Sequence, residues 1–127
     1  MKFVDEYLGE VSADEVRDPA AFDRATTIGA IEYIIATAQK EWDCPIFFYT
    51  NGWLKEDDRY NTLVDALYKV QEKWDIHIID MHSDEAFNDL TEEQVKLYMK
   101  DDIHPTLAGY KEWWLPVFEE ALYSVCQ

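Results

Sequence analysis

The sequence predicts an α/β fold in which a few parallel strands are flanked by helices. Three observations predict it. Two short continuous apolar runs, Cys44–Thr50 and Ile76–Met81, end at polar residues and lack the alternation of a one-sided strand. Long amphipathic stretches lie before, between and after these runs. Strands separated by a full helix pair in parallel through right-handed crossovers.

Residues 1–17 are acidic and weakly patterned and read as a loop, with Met1 to Val4 a possible strand stub. A helix is expected from Pro19 to Glu41. Asp18 serves as N-cap, and Pro19 occupies the first helical position, where its missing N–H costs nothing. Its apolar stripe is Ile28, Ile31, Ile35 and Ala38, with Ile34 beside them. The first strand, Cys44–Thr50, stops at the Asn51-Gly52 turn. A second helix over Asp58–Trp74 presents Tyr60, Leu63, Val64, Leu67, Val70 and Trp74 on one face. The β-branched run Ile76–Met81 is the second strand. Thr91 and Gln94 form a capping box for a short helix ending near Met99. Thr106 caps the last helix, which carries Leu107, Tyr110, Trp114, Val117, Phe118, Ala121, Leu122 and Val125. Pro116 inside that helix removes a backbone donor and should bend it.

Composition narrows the function. The chain has 127 residues, the size of one domain, and no repeat or linker. Eleven basic against 27 acidic residues give a net charge of -16. That charge argues against nucleic acid, whose phosphates need Lys/Arg, and against an anionic membrane surface. With 48% hydrophobic and 15% aromatic residues, the chain is no disordered acidic tail. Cys44 and Cys126 are too few for a disulfide framework and lack metal-finger spacing. No signal peptide is evident, so the cytoplasm is the default compartment and the location is otherwise open.

Two strands make a small sheet with unpaired backbone along both edges. A homodimer through the open edge, or by swapped elements, would complete it. The adjacent Trp113 and Trp114 point the same way, since both cannot face one side of a helix and one should be exposed or contact a partner.

In open α/β sheets ligands bind beyond the carboxyl ends of the strands. Thr50–Trp53, Asp80–Ser83 and the loop Lys100–Pro105 meet that criterion. The last is the most informative. Asp101 stands three residues before His104, with Pro105 following, so its carboxylate can hold the imidazole through Nδ1–H and leave Nε2 as a general base. Asn51 and Trp53 are the substrate-binding candidates, although Asn-Gly is first a turn signal. Asp80, His82, Asp84 and His104 follow no known ligand spacing, so no metal site is assigned. Glu56-Asp57-Asp58 and Asp84-Glu85 read as solvated faces.

The run Asp101-Asp102-Ile103-His104-Pro105, continued by Thr106-Leu107-Ala108-Gly109-Tyr110, resembles the last signature block of SGNH hydrolases, the GDSL-like lipases and acylhydrolases. Leu8-Gly9-Glu10-Val11 resembles the segment following that family's third block, so the resemblance runs from Leu8 to the C-terminus. Asp102 stands where the family usually has Gly. The resemblance implies a truncated three-layer, flavodoxin-like fold equivalent to the C-terminal half to two-thirds of the domain. It also implies a serine esterase chemistry without cofactor, acting on an acyl ester or an acetylated carbohydrate. Asp101 becomes the orienting carboxylate and His104 the base. No G-D-S nucleophile block and no G-x-N-D block exists here, so the chain alone should be inactive or nearly so. Among Ser12, Ser83 and Ser124, only Ser83 stands at a strand's carboxyl end, and it lacks a glycine-flanked turn.

Overall fold

A computed structural model describes residues 6–52 and 57–126. It is α/β, with a two-stranded parallel sheet of β1 (Phe47–Thr50) and β2 (His77–Asp80). The helices are α1 (Thr27–Glu41), α2 (Asp58–Lys73), α3 (Glu85–Asn88) and α4 (Glu92–Tyr98). A π-helical stretch, Gly109–Trp114, runs into α5 (Leu115–Val125). The chain divides into two compact units after the first residue of each strand. One holds the described residues up to Phe47 with Asp57–His77, and the other holds the remainder.

In the first unit the long N-terminal helix starts later than the sequence suggests. Asp18 and Pro19 nucleate only a short 3₁₀ turn, Pro19–Ala21, whose Ala20 N–H donates to Asp18 Oδ1. Phe22 then turns extended (φ -92, ψ 137), and its buried ring meets Trp74 edge-on at 6.0 Å. A second cap restarts the helix: Thr26 Oγ1 accepts from Gly29 N–H. The buried face of α1 is Ile28, Gly29, Glu32, Ile35 and Ala36, while Ile34 is 53% exposed. Gly29 is obligatory, since a Cβ there would collide with the Asp23 carbonyl. Asp57 caps α2 by accepting from the N–H groups of Arg59 and Tyr60, and Val64, Ala66, Leu67 and Val70 are buried along it.

The centre of this unit is charged. Glu32 and Lys73 are 1% and 2% exposed at the side chain and meet at 2.8 Å. Lys73 Nζ also donates to Ser12 Oγ (2.6 Å) and to the Val16 carbonyl (2.7 Å). Glu32 accepts from Ser12 N–H, Ser12 Oγ–H and Trp74 Nε1–H. Burial alone would raise the Glu32 pKa. The Lys73 ammonium and the Ser12 and Trp74 donors outweigh it and hold the carboxyl below its ordinary value. Its stabilising effect is therefore present at neutral pH and fades as pH falls through the lowered value.

In the second unit the strand ends are tied together. Thr50, 2% exposed, donates from Oγ1 to Asp80 Oδ1 (2.8 Å) and accepts from His82 N–H (2.9 Å). Asn88 at the end of α3 donates to the carbonyls of Met81 (2.7 Å) and Asp84 (2.8 Å). The Thr91–Gln94 capping box of α4 is formed in both directions. Trp113 and Trp114 are both buried, correcting the expectation that one of them faces outward. Each has its own aromatic neighbours. Trp113 stacks on Phe87 and Tyr98 and donates from Nε1 to the Phe87 carbonyl, whereas Trp114 lies against Tyr49, Tyr110 and Phe118. The π-helical stretch lies immediately before Pro116, with Leu115 N–H reaching back five residues to Tyr110 O. Pro116 thereby falls in the first turn of α5 and not in a helix interior.

Breaking one side of the buried pair strands a charge. Lys73→Met is expected to cost about 3–5 kcal/mol in urea unfolding, and the Glu32→Leu/Lys73→Met double variant to recover most of that loss. A double variant no more stable than Lys73→Met would contradict this account.

Candidate active site

The turn between α4 and the last helix is anchored at both ends. Lys100 N–H donates to His104 O (2.8 Å), and Met99 bridges to the buried Pro105. Thr106 then fastens the exit: its N–H donates to Tyr98 O (2.7 Å), and its hydroxyl donates to Leu97 O (2.7 Å). Thr106 Oγ1 also accepts from Gly109 N–H, so one threonine closes the turn and caps the next helix. Gly109 permits the close approach, because a Cβ there would collide with the Tyr98 carbonyl.

Within this turn Asp101 organises the backbone around its own carboxylate. Oδ1 accepts from Ile103 N–H (2.8 Å) and His104 N–H (2.7 Å), an Asx-type turn. The same carboxylate meets the imidazole: Nδ1 of His104 lies 2.8 Å from Oδ2 and 3.0 Å from Oδ1. The His104 N–H, then the Ile103 N–H and the imidazole, lower the Asp101 pKa to about 2. The acceptor is thus ionised throughout the range in which an imidazole titrates. Asp101 and His104 are 51% and 66% exposed at the side chain, so the dyad stands in solvent. Among the described residues Asp101 is the sole hydrogen-bond partner of the imidazole, and Nε2 is free.

The other sequence candidates lie elsewhere or outside the described residues. Asn51 is half-buried just past β1, before Gly52, where an added Cβ would meet the Phe87 ring at 2.5 Å. Trp53 lies outside the described residues. Ser83 is exposed, and its N–H donates to Asp80 Oδ1 (3.0 Å), making Asp80 a carboxylate that shapes its own loop. The hydroxyls of the other two serines are engaged, Ser12 with Glu32 and Lys73 and Ser124 with Ala121 O. Among the described residues no three His, Cys, Asp or Glu side chains gather as a metal-binding group. No described helix is long and apolar enough to cross a membrane.

Two networks escaped the sequence reading. The Thr50–Asp80–His82 link has a weak signal, a Thr and an Asp each closing an apolar run. The Glu32–Lys73 centre has one too: Glu32 stands four residues after Ile28 and three before Ile35, on the buried stripe. Comparison of the chain with family models, curated proteins and solved structures gives no match.

An Asp–His pair of this kind can take a proton at Nε2 while the carboxylate stabilises the imidazolium. The Asp101 carboxyl is expected to titrate with a midpoint near 2 by NMR. Because the folded value is depressed, its stabilisation is present above the ordinary carboxylate pKa and lost as pH falls toward 2. A midpoint at an ordinary Asp value would mean that the turn does not hold the carboxylate as described.

Proposed function

We propose that this chain is the Asp–His-bearing part of an SGNH-type, GDSL-like ester hydrolase with a truncated flavodoxin-like architecture. The observation that supports it most is the 2.8 Å contact between Asp101 Oδ2 and His104 Nδ1, with Nε2 free and exposed. In this reading Asp101 fixes the imidazole orientation and tautomer. His104 Nε2 removes the proton of a serine hydroxyl as that oxygen attacks an acyl carbonyl, then returns it to the departing alcohol. The hydroxyls of Ser12 and Ser124 are occupied, and Ser83 is not bonded to His104. The covalent step therefore uses a serine from outside this sequence. The substrate class is an acyl ester, with acetylated carbohydrate as the family analogue, and no cofactor takes part.

A second reading, a non-catalytic module that self-associates, is favoured by a separate observation. The described sheet has two strands, Tyr49 on β1 is 57% exposed, and α5 buries none of its residues. An apolar helix face left half-open beside a short sheet fits pairing between copies.

Hydrolysis of p-nitrophenyl acetate separates the two. Any rate above buffer is expected to vanish in His104→Ala and to fall in Asp101→Asn. Equal rates above buffer for wild type and His104→Ala would dismiss His104 as the base, whereas no rate in either is the result expected when the serine must come from outside this sequence. For the second reading, sedimentation at micromolar concentration should show a species of twice the 15.0 kDa chain mass. A stable monomer would dismiss it.

A further inference from the structure

Seven of the eleven residues of α5 are apolar, yet the helix buries none of them. Leu115 and Leu122, seven positions apart and on one face, are 46% and 39% exposed, with half-buried Phe118 between them. Phe118 meets Tyr49 of β1 at 5.3 Å between ring centroids, and Tyr49 and Tyr110 lie edge-on to Trp114 at 6.0 and 5.3 Å. Both tyrosines are exposed. One uncharged surface therefore runs from β1 across the last helix, wholly within the second unit.

Water does not complete this surface. Trp114 Nε1–H is buried and has no hydrogen-bond partner among the described residues, whereas most buried donors in native proteins are paired. Beside it, β1 has a strand neighbour on one edge only among the described residues. Edges that face solvent are commonly guarded by a charge or a proline, and Phe47-Phe48-Tyr49-Thr50 has neither. The occupant must therefore cover an apolar helix face and pair a strand edge at once. A lipid surface would leave the edge unpaired, and α5 brings no Lys or Arg to headgroups. A basic protein would match the net charge of -16, but the surface itself offers it no carboxylate. A second copy meets both needs. About a twofold axis the two β1 strands pair antiparallel, the sheet grows from two strands to four, and each Tyr49–Phe118–Leu122 surface meets its own image. No like charges of that surface come together. The repulsion between two chains of charge -16 acts at longer range, where salt screens it.

We propose that the open edge of β1 and the Tyr49–Leu115–Leu122 surface form one docking face for a second copy of this chain, and that added salt strengthens the pairing. The proposal rests on the self-association reading, to which it gives a surface and a regulator, and it stands without the ester-hydrolase reading.

The test is sedimentation of the full chain over a micromolar concentration series in about 0.02 M and about 0.5 M NaCl, with amide hydrogen exchange on the same samples. The dimer dissociation constant should be roughly tenfold or more lower at the higher salt. Amides of Phe48–Thr50 should exchange more slowly in the dimer than in the monomer. Leu115→Lys and Leu122→Lys, at exposed positions where the far-UV dichroism should stay unchanged, should each weaken pairing roughly tenfold or more. Ile34→Lys makes the same charge change on the exposed part of α1 in the first unit, and it should pair at least as well as wild type. A dimer that survives both leucine substitutions overturns this face and leaves self-association standing. No dimer at either salt concentration overturns both. A dimer that dissociates as salt rises, the behaviour of a contact between opposite charges, overturns the proposal as well.

Discussion

The first unit is organised around an ion pair taken out of water. Burying a carboxylate and an ammonium costs several kcal/mol per ion unless geometry and hydrogen bonding are complete. Here they are nearly so. All three Lys73 donors find oxygen, and Glu32 receives the Ser12 and Trp74 donors besides the ammonium. The consequence is positional. Ser12 and Val16 belong to the acidic lead-in, Glu32 to α1 and Lys73 to α2, so one buried centre fixes three segments that have no β-ladder between them. Arg17, 4.7 Å above the Trp74 ring, extends the same cluster toward the surface. An apolar core could supply comparable stability, but it would not dictate so narrowly where the lead-in must lie.

Much of the secondary structure was legible because its signals are local. The Thr91–Gln94 box, the helix starting at Asp58 and the two apolar runs each declare themselves within a few residues; the box and the helix start appear where the pattern places them, and the strands lie within their runs, the first beginning only at Phe47. The departures arise where two local signals compete or where partners are distant. Asp18-Pro19 is a good helix start, yet Thr26 offers another, and burial of Phe22 against Trp74 settles the matter in favour of the later one. The Trp113-Trp114 pair was read on the assumption of one buried helix face. Phe87 and Tyr98 on one side, with Tyr49 and Phe118 on the other, bury both rings, and those partners lie up to 65 positions away.

The candidate site divides along the same line. Asp101 and His104 are three residues apart, and every bond between them follows from one tight turn, so spacing alone was informative. Glu32 and Lys73 are 41 residues apart, and only their placement on apolar stripes hints at a meeting. Thr50 and Asp80 lie between these cases. Each closes a strand of the same small parallel sheet, and adjacency of the strands brings their side chains within hydrogen-bond reach.

The Asp101 turn has a wider implication. Its imidazole is oriented by a carboxylate that is itself held by the amides of the next residues, and the loop is fastened by Thr106 to the end of the preceding helix. Nothing beyond a dozen consecutive residues takes part. A base assembled in this way is self-contained: its alignment travels with a short stretch of chain and would persist through remodelling of the surrounding scaffold.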